Sequence, residues 1–389
     1  MKVKIGLFGK VVIAILLGVA FGSVLPECGI RLFKTFNVLF SQVLKFIVPM
    51  LILGLVTPAI SDVGKGAGRM LLAVMALSYI STAAAGFFAY GCSMEFMPLY
   101  IEKGSIAAGA EGVKFLPYFD LKIPPLCDVL TALAIAFMIG LGVSFTGSDL
   151  LKRVMNEFGE VVKLTIMKVI IPGLPIYILT MICELTASGK LATMAGTLFK
   201  VIGTGWVLTI SFLIILYTVV CTVARKNPAL SLWRMLPAYL TGISICSSSA
   251  VIPVTLECCR KNGISKDVCD FTVPLCANVH MVGSATKLLS GIVAISLIYD
   301  QPVPVSAIVN FTFMMAVAAV AAPGVMCGVL MASVGLVESI IGFNAEQVAL
   351  LITFYSALDG YGPAANVTGD GAIAILVDRF FGKKETLQA

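Results

Sequence analysis

Charge is scarce in this chain, and histidine scarcer still. Of 389 residues, 12% are Asp, Glu, Lys or Arg and one is histidine, while 59% are apolar. So little charge excludes an ordinary soluble globule. The alternating ten-residue pattern of an outer-membrane barrel is missing as well, which leaves a helical membrane protein. The 11 cysteines include no CxxC pair, and with a single histidine they exclude a structural zinc site; they read as small packing residues. The formal charge of +6 comes without any basic run interleaved with aromatics, so no nucleic-acid partner is expected.

What the chain has in abundance is apolar runs of about twenty residues, the length that crosses a bilayer. They fall near 8–26, 37–61, 69–93, 125–147, 161–184 and 199–223. The first follows Lys2, Lys4 and Lys10, and reads as a retained helix because no small-residue cleavage site precedes the next run.

After Arg225 the rhythm changes. Residues 230–256 carry Ser247-Ser248-Ser249 between two apolar arms, each too short to cross alone, which is the profile of a re-entrant hairpin. A long segment over 268–298 follows, interrupted by Asn278, His280 and Lys287. Residues 305–337 then form a second short-armed piece around Ala322-Pro323-Gly324. The last apolar segment, 345–377, contains Asp359-Gly-Tyr-Gly-Pro-Ala-Ala-Asn-Val-Thr-Gly-Asp370. Hairpin, broken helix, hairpin, broken helix is a repeated order of parts, and paired interrupted segments point to the binding site of a secondary transporter. The expected division is 1–223 as mostly scaffold and trimerisation spans, 228–380 as transport core and 381–389 as cytoplasmic tail.

Orientation follows from the basic residues. With eight spans, two non-crossing hairpins and both termini cytoplasmic, eighteen of the 27 Lys and Arg residues lie inside. This is the arrangement expected in a plasma (inner) membrane.

The stretch from Asp359 to Asp370 reads as a binding site because carboxylates at membrane depth are costly and normally face a hydrated cavity, a substrate or an ion. Asn366 and Asp370 are four residues apart, on one helical face, and oxygen ligands at that spacing suit a hard cation such as sodium; the other reading of Asp370 is a helix-end cap. The serine tip would present hydroxyls and N–H groups at half-helix ends, where a substrate carboxylate belongs.

These residues together resemble the dicarboxylate/amino acid:cation symporter family, which has the glutamate-transporter fold. Asn366-Val-Thr-Gly-Asp370 is similar to that family's last-helix signature, and Cys246-Ser247-Ser248-Ser249-Ala-Val-Ile-Pro-Val-Thr255 to its first-hairpin tip. Leu44-Lys-Phe-Ile-Val-Pro-Met50 and Ser333-Val-Gly-Leu336 resemble further family segments. The resemblance implies eight transmembrane helices plus two re-entrant helical hairpins, an inverted-repeat elevator mechanism, a homotrimer and coupling to sodium or protons. It also implies substrate contacts from Ser247, Ser248, Ser249, Met281, Ser284, Asp359 and Asn366, with a sodium ion on Asn366 and Asp370. Asp359 would bind the ammonium of an amino acid, the alternative being an ion pair with Lys287.

Departures from the family pattern bear on substrate and coupling. Gly362 stands four residues before Asn366, where acidic-amino-acid transporters have an arginine, and Cys246 replaces a hairpin arginine. A small neutral amino acid is therefore the expected substrate, with a C4-dicarboxylate or acidic amino acid, bound by Lys287, as the alternative. The family's Asn-Met-Asp-Gly-Thr appears as His280-Met-Val-Gly-Ser284, so an aspartate that ligates one sodium has become Val282. Either Lys287 stands in for the lost sodium, or His280 carries a transported proton, or His280 only packs by hydrogen bonding. At seven residues apart, His280 and Lys287 would share a helical face. Two readings from other classes are an intramembrane serine hydrolase, pairing a serine of 247–249 with His280, and a homologue that binds without transport or leaks anions.

Overall fold

The computed structural model describes residues 7–62, 69–104, 115–127, 129–321, 327–357 and 360–382, and among these it is helical with no strand. The order begins α1 (Leu7–Val24), α2 (Glu27–Asp62), α3 (Arg69–Phe96), α4 (Val129–Thr146), α5 (Asp149–Thr165), α6 (Ile171–Ala187) and α7 (Lys190–Ala224). It continues with α8 (Pro228–Arg234), α9 (Leu236–Ile245), α10 (Ser248–Lys261), α11 (Lys266–Val279), α12 (Val282–Ile298), α13 (Val305–Ala321), α14 (Gly328–Leu336), α15 (Ala345–Ala357) and α16 (Tyr361–Phe381).

The early helices pack through small residues and few ions. On α1, Gly18 and Gly22 lie one turn apart against α6: a Cβ at Gly18 would fall 2.7 Å from the Leu179 carbonyl oxygen, and one at Gly22 2.5 Å from Thr186 Cβ. Such small-xxx-small seams let helix backbones approach where lipid provides no hydrophobic drive. Lys34 and Glu184 bridge α2 to α6 at 2.6 Å. The run expected at 161–184 begins differently from its sequence reading. Helix α5 passes through a wide π turn at Ile166–Ile170 into α6, where Pro172 cannot donate to the helix ladder, and the chain bends by 43°.

The second half is built of shorter helices. Arms α9 and α10 fold against each other, as do α13 and α14, whereas α11 and α12 form one apolar stretch, Lys266–Ile298. The tip of the second pair, 322–326, lies outside the described residues, as does Asp359. By length and composition, three described stretches could each cross a membrane: Arg69–Leu99, Phe199–Ala224 and Lys266–Ile298. The first two are 39% buried over their most apolar window and the third 94%, so α11–α12 is an interior stretch of the described bundle.

The motif Asn366–Asp370 is not itself the break in its segment. Helix α16 runs unbroken from Tyr361 to Phe381, and Pro363 sits in its first turn, where no backbone donor is needed. Helix α15 ends at Ala357 and α16 begins at Tyr361, with 358 and 359 outside the described residues.

Candidate functional site

Two described helix interruptions, at the tip between α9 and α10 and between α11 and α12, lie against the first turns of α16. At the tip of the first pair, Cys246 turns the chain with φ 56°, its N–H donating to the Gly242 carbonyl at 2.9 Å, and Ser247 is extended before α10 begins at Ser248. Ser248 is buried, and the Ser249 hydroxyl donates to Asn278 Oδ1 at 3.4 Å, tying the tip to the end of α11. Arm α9 lies directly on α16: a Cβ at Gly242 would be 2.6 Å from Ala364 Cα.

The break between α11 and α12 is held open by side chains from other helices. His280 is extended, at φ −106° and ψ 102°, and Met281 follows at φ −123° and ψ 44°. A helix start leaves N–H groups without partners, and burying them unpaired is costly. Here Thr82 Oγ1 on α3 accepts from Met281 N at 3.1 Å, and Asn366 Oδ1 on α16 accepts from Gly283 N at 2.8 Å and Ser284 N at 3.4 Å. Asn366 thus caps α12 from a neighbouring helix. Its amide nitrogen donates to Ser284 Oγ and approaches Met281 Sδ, each at 3.2 Å. Gly283 permits this closeness, since a Cβ there would meet the Gly362 carbonyl oxygen at 2.5 Å.

A second cluster forms around the only histidine. His280 Nδ1 lies 3.0 Å from Asp370 Oδ1 and Nε2 lies 3.1 Å from the Ser81 hydroxyl of α3, with the ring and the carboxylate both fully buried. Among the described residues, Asp370 Oδ2 has no hydrogen-bond partner. Nearby, Tyr217 of α7 donates to the Thr368 carbonyl at 2.7 Å, fastening α16 to α7.

Lys287 belongs to a third group. Its ammonium sits 3.4 Å over the centre of the Tyr355 ring and 5.4 Å from that of Tyr361, a cation–π arrangement at a side chain that is 5% exposed. It also lies 3.3 Å from where a Cβ at Gly362 would be, so the space beside the first turn of α16 is taken by an ammonium. The expectation that His280 and Lys287 share a helical face does not hold. The helix is interrupted between them at Met281, and each side chain joins a different cluster.

Of the residues expected at the site, the structure joins Met281, Ser284 and Asn366 in one cluster and His280 and Asp370 in another. Lys287 stands beside Gly362, and Ser247, Ser248 and Ser249 stand at the hairpin tip. Asp359 lies outside the described residues. Sequence reasoning missed Ser81 and Thr82. Their signal was available, because two adjacent hydroxyls midway along an apolar helix are the kind of polar residue that faces a bundle interior. It also missed Tyr355 and Tyr361, for which aromatic residues in an apolar run give no signal.

A model of the sodium:dicarboxylate symporter family matches residues 7–380, nearly the whole chain. The chain belongs to that family. It is similar to the serine/threonine transporter SstT of Streptococcus suis, 27% identical over 299 residues that make up 73% of this chain and 81% of the relative. The SstT protein of Acinetobacter baumannii is also 27% identical, over 73% of this chain and 74% of its own length. Excitatory amino acid transporter 3 of the rabbit, Oryctolagus cuniculus, is 33% identical over 182 residues, 46% of this chain. The chain matches about a third of the length of that mammalian relative. The family and these relatives are transporters rather than enzymes. The geometry agrees in one respect: both ring nitrogens of His280 are engaged by Asp370 and Ser81, which leaves none to activate a serine of the hairpin tip.

Proposed function

We propose that this chain is a secondary active symporter that brings a small neutral amino acid across the plasma (inner) membrane, driven by a sodium or proton gradient. The observation that carries this reading is Asn366, which caps the α11–α12 break from α16, the helix on which hairpin arm α9 also packs at Ala364. Interrupted helices meeting inside an apolar bundle form the kind of site at which transporters hold substrate and ion. Substrate would lie between the tip residues Ser247–Ser249 and the cluster of Met281, Ser284 and Asn366. Its ammonium is assigned to Asp359, where a charged substrate offsets the cost of a buried carboxylate.

The neutral preference rests on Gly362, which offers no guanidinium for a second carboxylate, and on the extent of similarity to proteins named serine/threonine transporters. A homotrimer of elevator units, eight spans with re-entrant hairpins and cytoplasmic termini accompany this reading. They are supported by the order of helices and by the distribution of basic residues.

Lys287 favours a second reading. Its ammonium stands where the side chain of residue 362 would begin, so a C4-dicarboxylate or acidic amino acid could find its second anionic partner there. Competition separates the two. In proteoliposomes with inward sodium or proton gradients, unlabelled serine, threonine or alanine should displace labelled L-serine far better than aspartate or succinate. The reverse order would establish the acidic reading, and failure of every gradient to drive accumulation would leave a binding or leak protein.

A further inference from the structure

A hard cation at membrane depth needs several oxygens free to replace its hydration shell. Around Asn366 and Asp370 those oxygens are already committed. Asn366 Oδ1 accepts from Gly283 N and Ser284 N, Thr82 Oγ1 accepts from Met281 N, and Asp370 Oδ1 and Ser81 Oγ both face the ring of His280. Val282 adds no donor atom. Among the described residues, Asp370 Oδ2 is the one side-chain oxygen of this cluster left without a partner.

The ring also fills the space. A Cβ at Gly369 would lie 2.7 Å from His280 Cε1 and 3.1 Å from Val282 Cγ2, so the bare backbone at 369 is what lets the imidazole seat against α16. Histidine at 280, valine at 282 and glycine at 369 are three parts of one fit.

We infer that the imidazole of His280 is a built-in occupant of the position between Ser81 and Asp370, in place of a coupling cation. Each transport cycle then carries one sodium ion fewer than free oxygens on Asn366, Asp370, Ser81 and Thr82 would allow. The inference rests on the reading of the chain as a cation-coupled symporter. It concerns which position an ion does not take, and it names the imidazole as a packing and hydrogen-bonding group whichever proton it holds.

Equilibrium binding of radioactive sodium to the purified full-length protein tests it by counting ions per chain. The variant His280→Asn shortens the side chain and restores an amide oxygen, and it should bind one sodium more than the unaltered protein. Equal counts, or a lower count in a variant that elutes as a folded species, would overturn the inference.

Should that variant not fold, a structure of the unaltered protein in saturating sodium decides the matter. The ring should stay within hydrogen-bond distance of both Asp370 and Ser81 with no ion between them, and a ring swung aside with an ion in its place would refute the idea. If the unaltered protein binds no sodium and no gradient drives L-serine uptake, it is the symporter reading that fails. The position of the imidazole in that structure still supports or overturns its role as occupant.

Discussion

Helix α7 and the α11–α12 stretch are both long and apolar enough to cross a bilayer, yet they sit in opposite surroundings. Over their most apolar windows, Phe199–Ala224 is 39% buried and Lys266–Ile298 is 94% buried. The outward stretch carries Val207, Ile214, Ile215, Val219 and Val223 on its exposed side. The inward one carries His280, Ser284, Thr286, Lys287 and Ser290, every one of them buried. In water the apolar stretch would be the interior one. In lipid, hydrocarbon can face outward without penalty and polar groups must find partners inside, so it is polarity that marks the functional interior.

Substitutions can break or sharpen this contrast. The largest effect is expected from Asp370→Ala, which leaves a buried ring nitrogen of His280 without its partner and opens a cavity beside it; a buried polar group left unsatisfied costs about 1–3 kcal/mol, and the lost packing adds to it. Thermal unfolding in detergent should show a large fall in midpoint, with loss of uptake. Gly369→Ala comes next. Its added Cβ meets His280 Cε1 at 2.7 Å, and overpacking of this kind costs roughly 1–3 kcal/mol, to be read from the same unfolding curves.

A smaller loss should follow from Thr209→Val, which removes the hydroxyl that pairs with Thr286 at 2.7 Å between α7 and α12. Interhelical hydrogen bonds in a membrane protein average about 0.6 kcal/mol, so the midpoint should move only slightly. On the outward face, Val219→Ala should stay within about 0.5 kcal/mol of the unaltered protein with uptake unchanged. A strong defect at Val219, or none at Asp370, would reverse the assignment of outside and inside.

How much of this could be read beforehand differed from residue to residue. The turn at Ser247–Ser249 and the break at His280 were legible because half-length apolar arms and a polar interruption of an apolar run are costly in a membrane unless they line an interior. The continuity of the last helix was not. Pro363 and Gly369 read as interruptions of an apolar span, but α16 absorbs both, the proline in its first turn and the glycine where the His280 ring presses close.

The separate fates of His280 and Lys287 were also hidden. Helical spacing assumes a helix, and the break at Met281 depends on hydroxyl and amide partners from α3 and α16 that lie far away along the chain. Gly362 was legible as a missing guanidinium. That an ammonium from α12 fills the same space was not, because it follows only from how α12 packs on α16.

The proposed symport rests on Asn366 as a residue that holds substrate between the α11–α12 break and α16. Uptake of labelled L-serine into proteoliposomes under an inward sodium gradient, comparing the unaltered protein with Asn366→Ala, tests this most directly. Accumulation above equilibrium by the unaltered protein, and none by a variant that still elutes as a folded species, is the result predicted. Equal accumulation by both would contradict it.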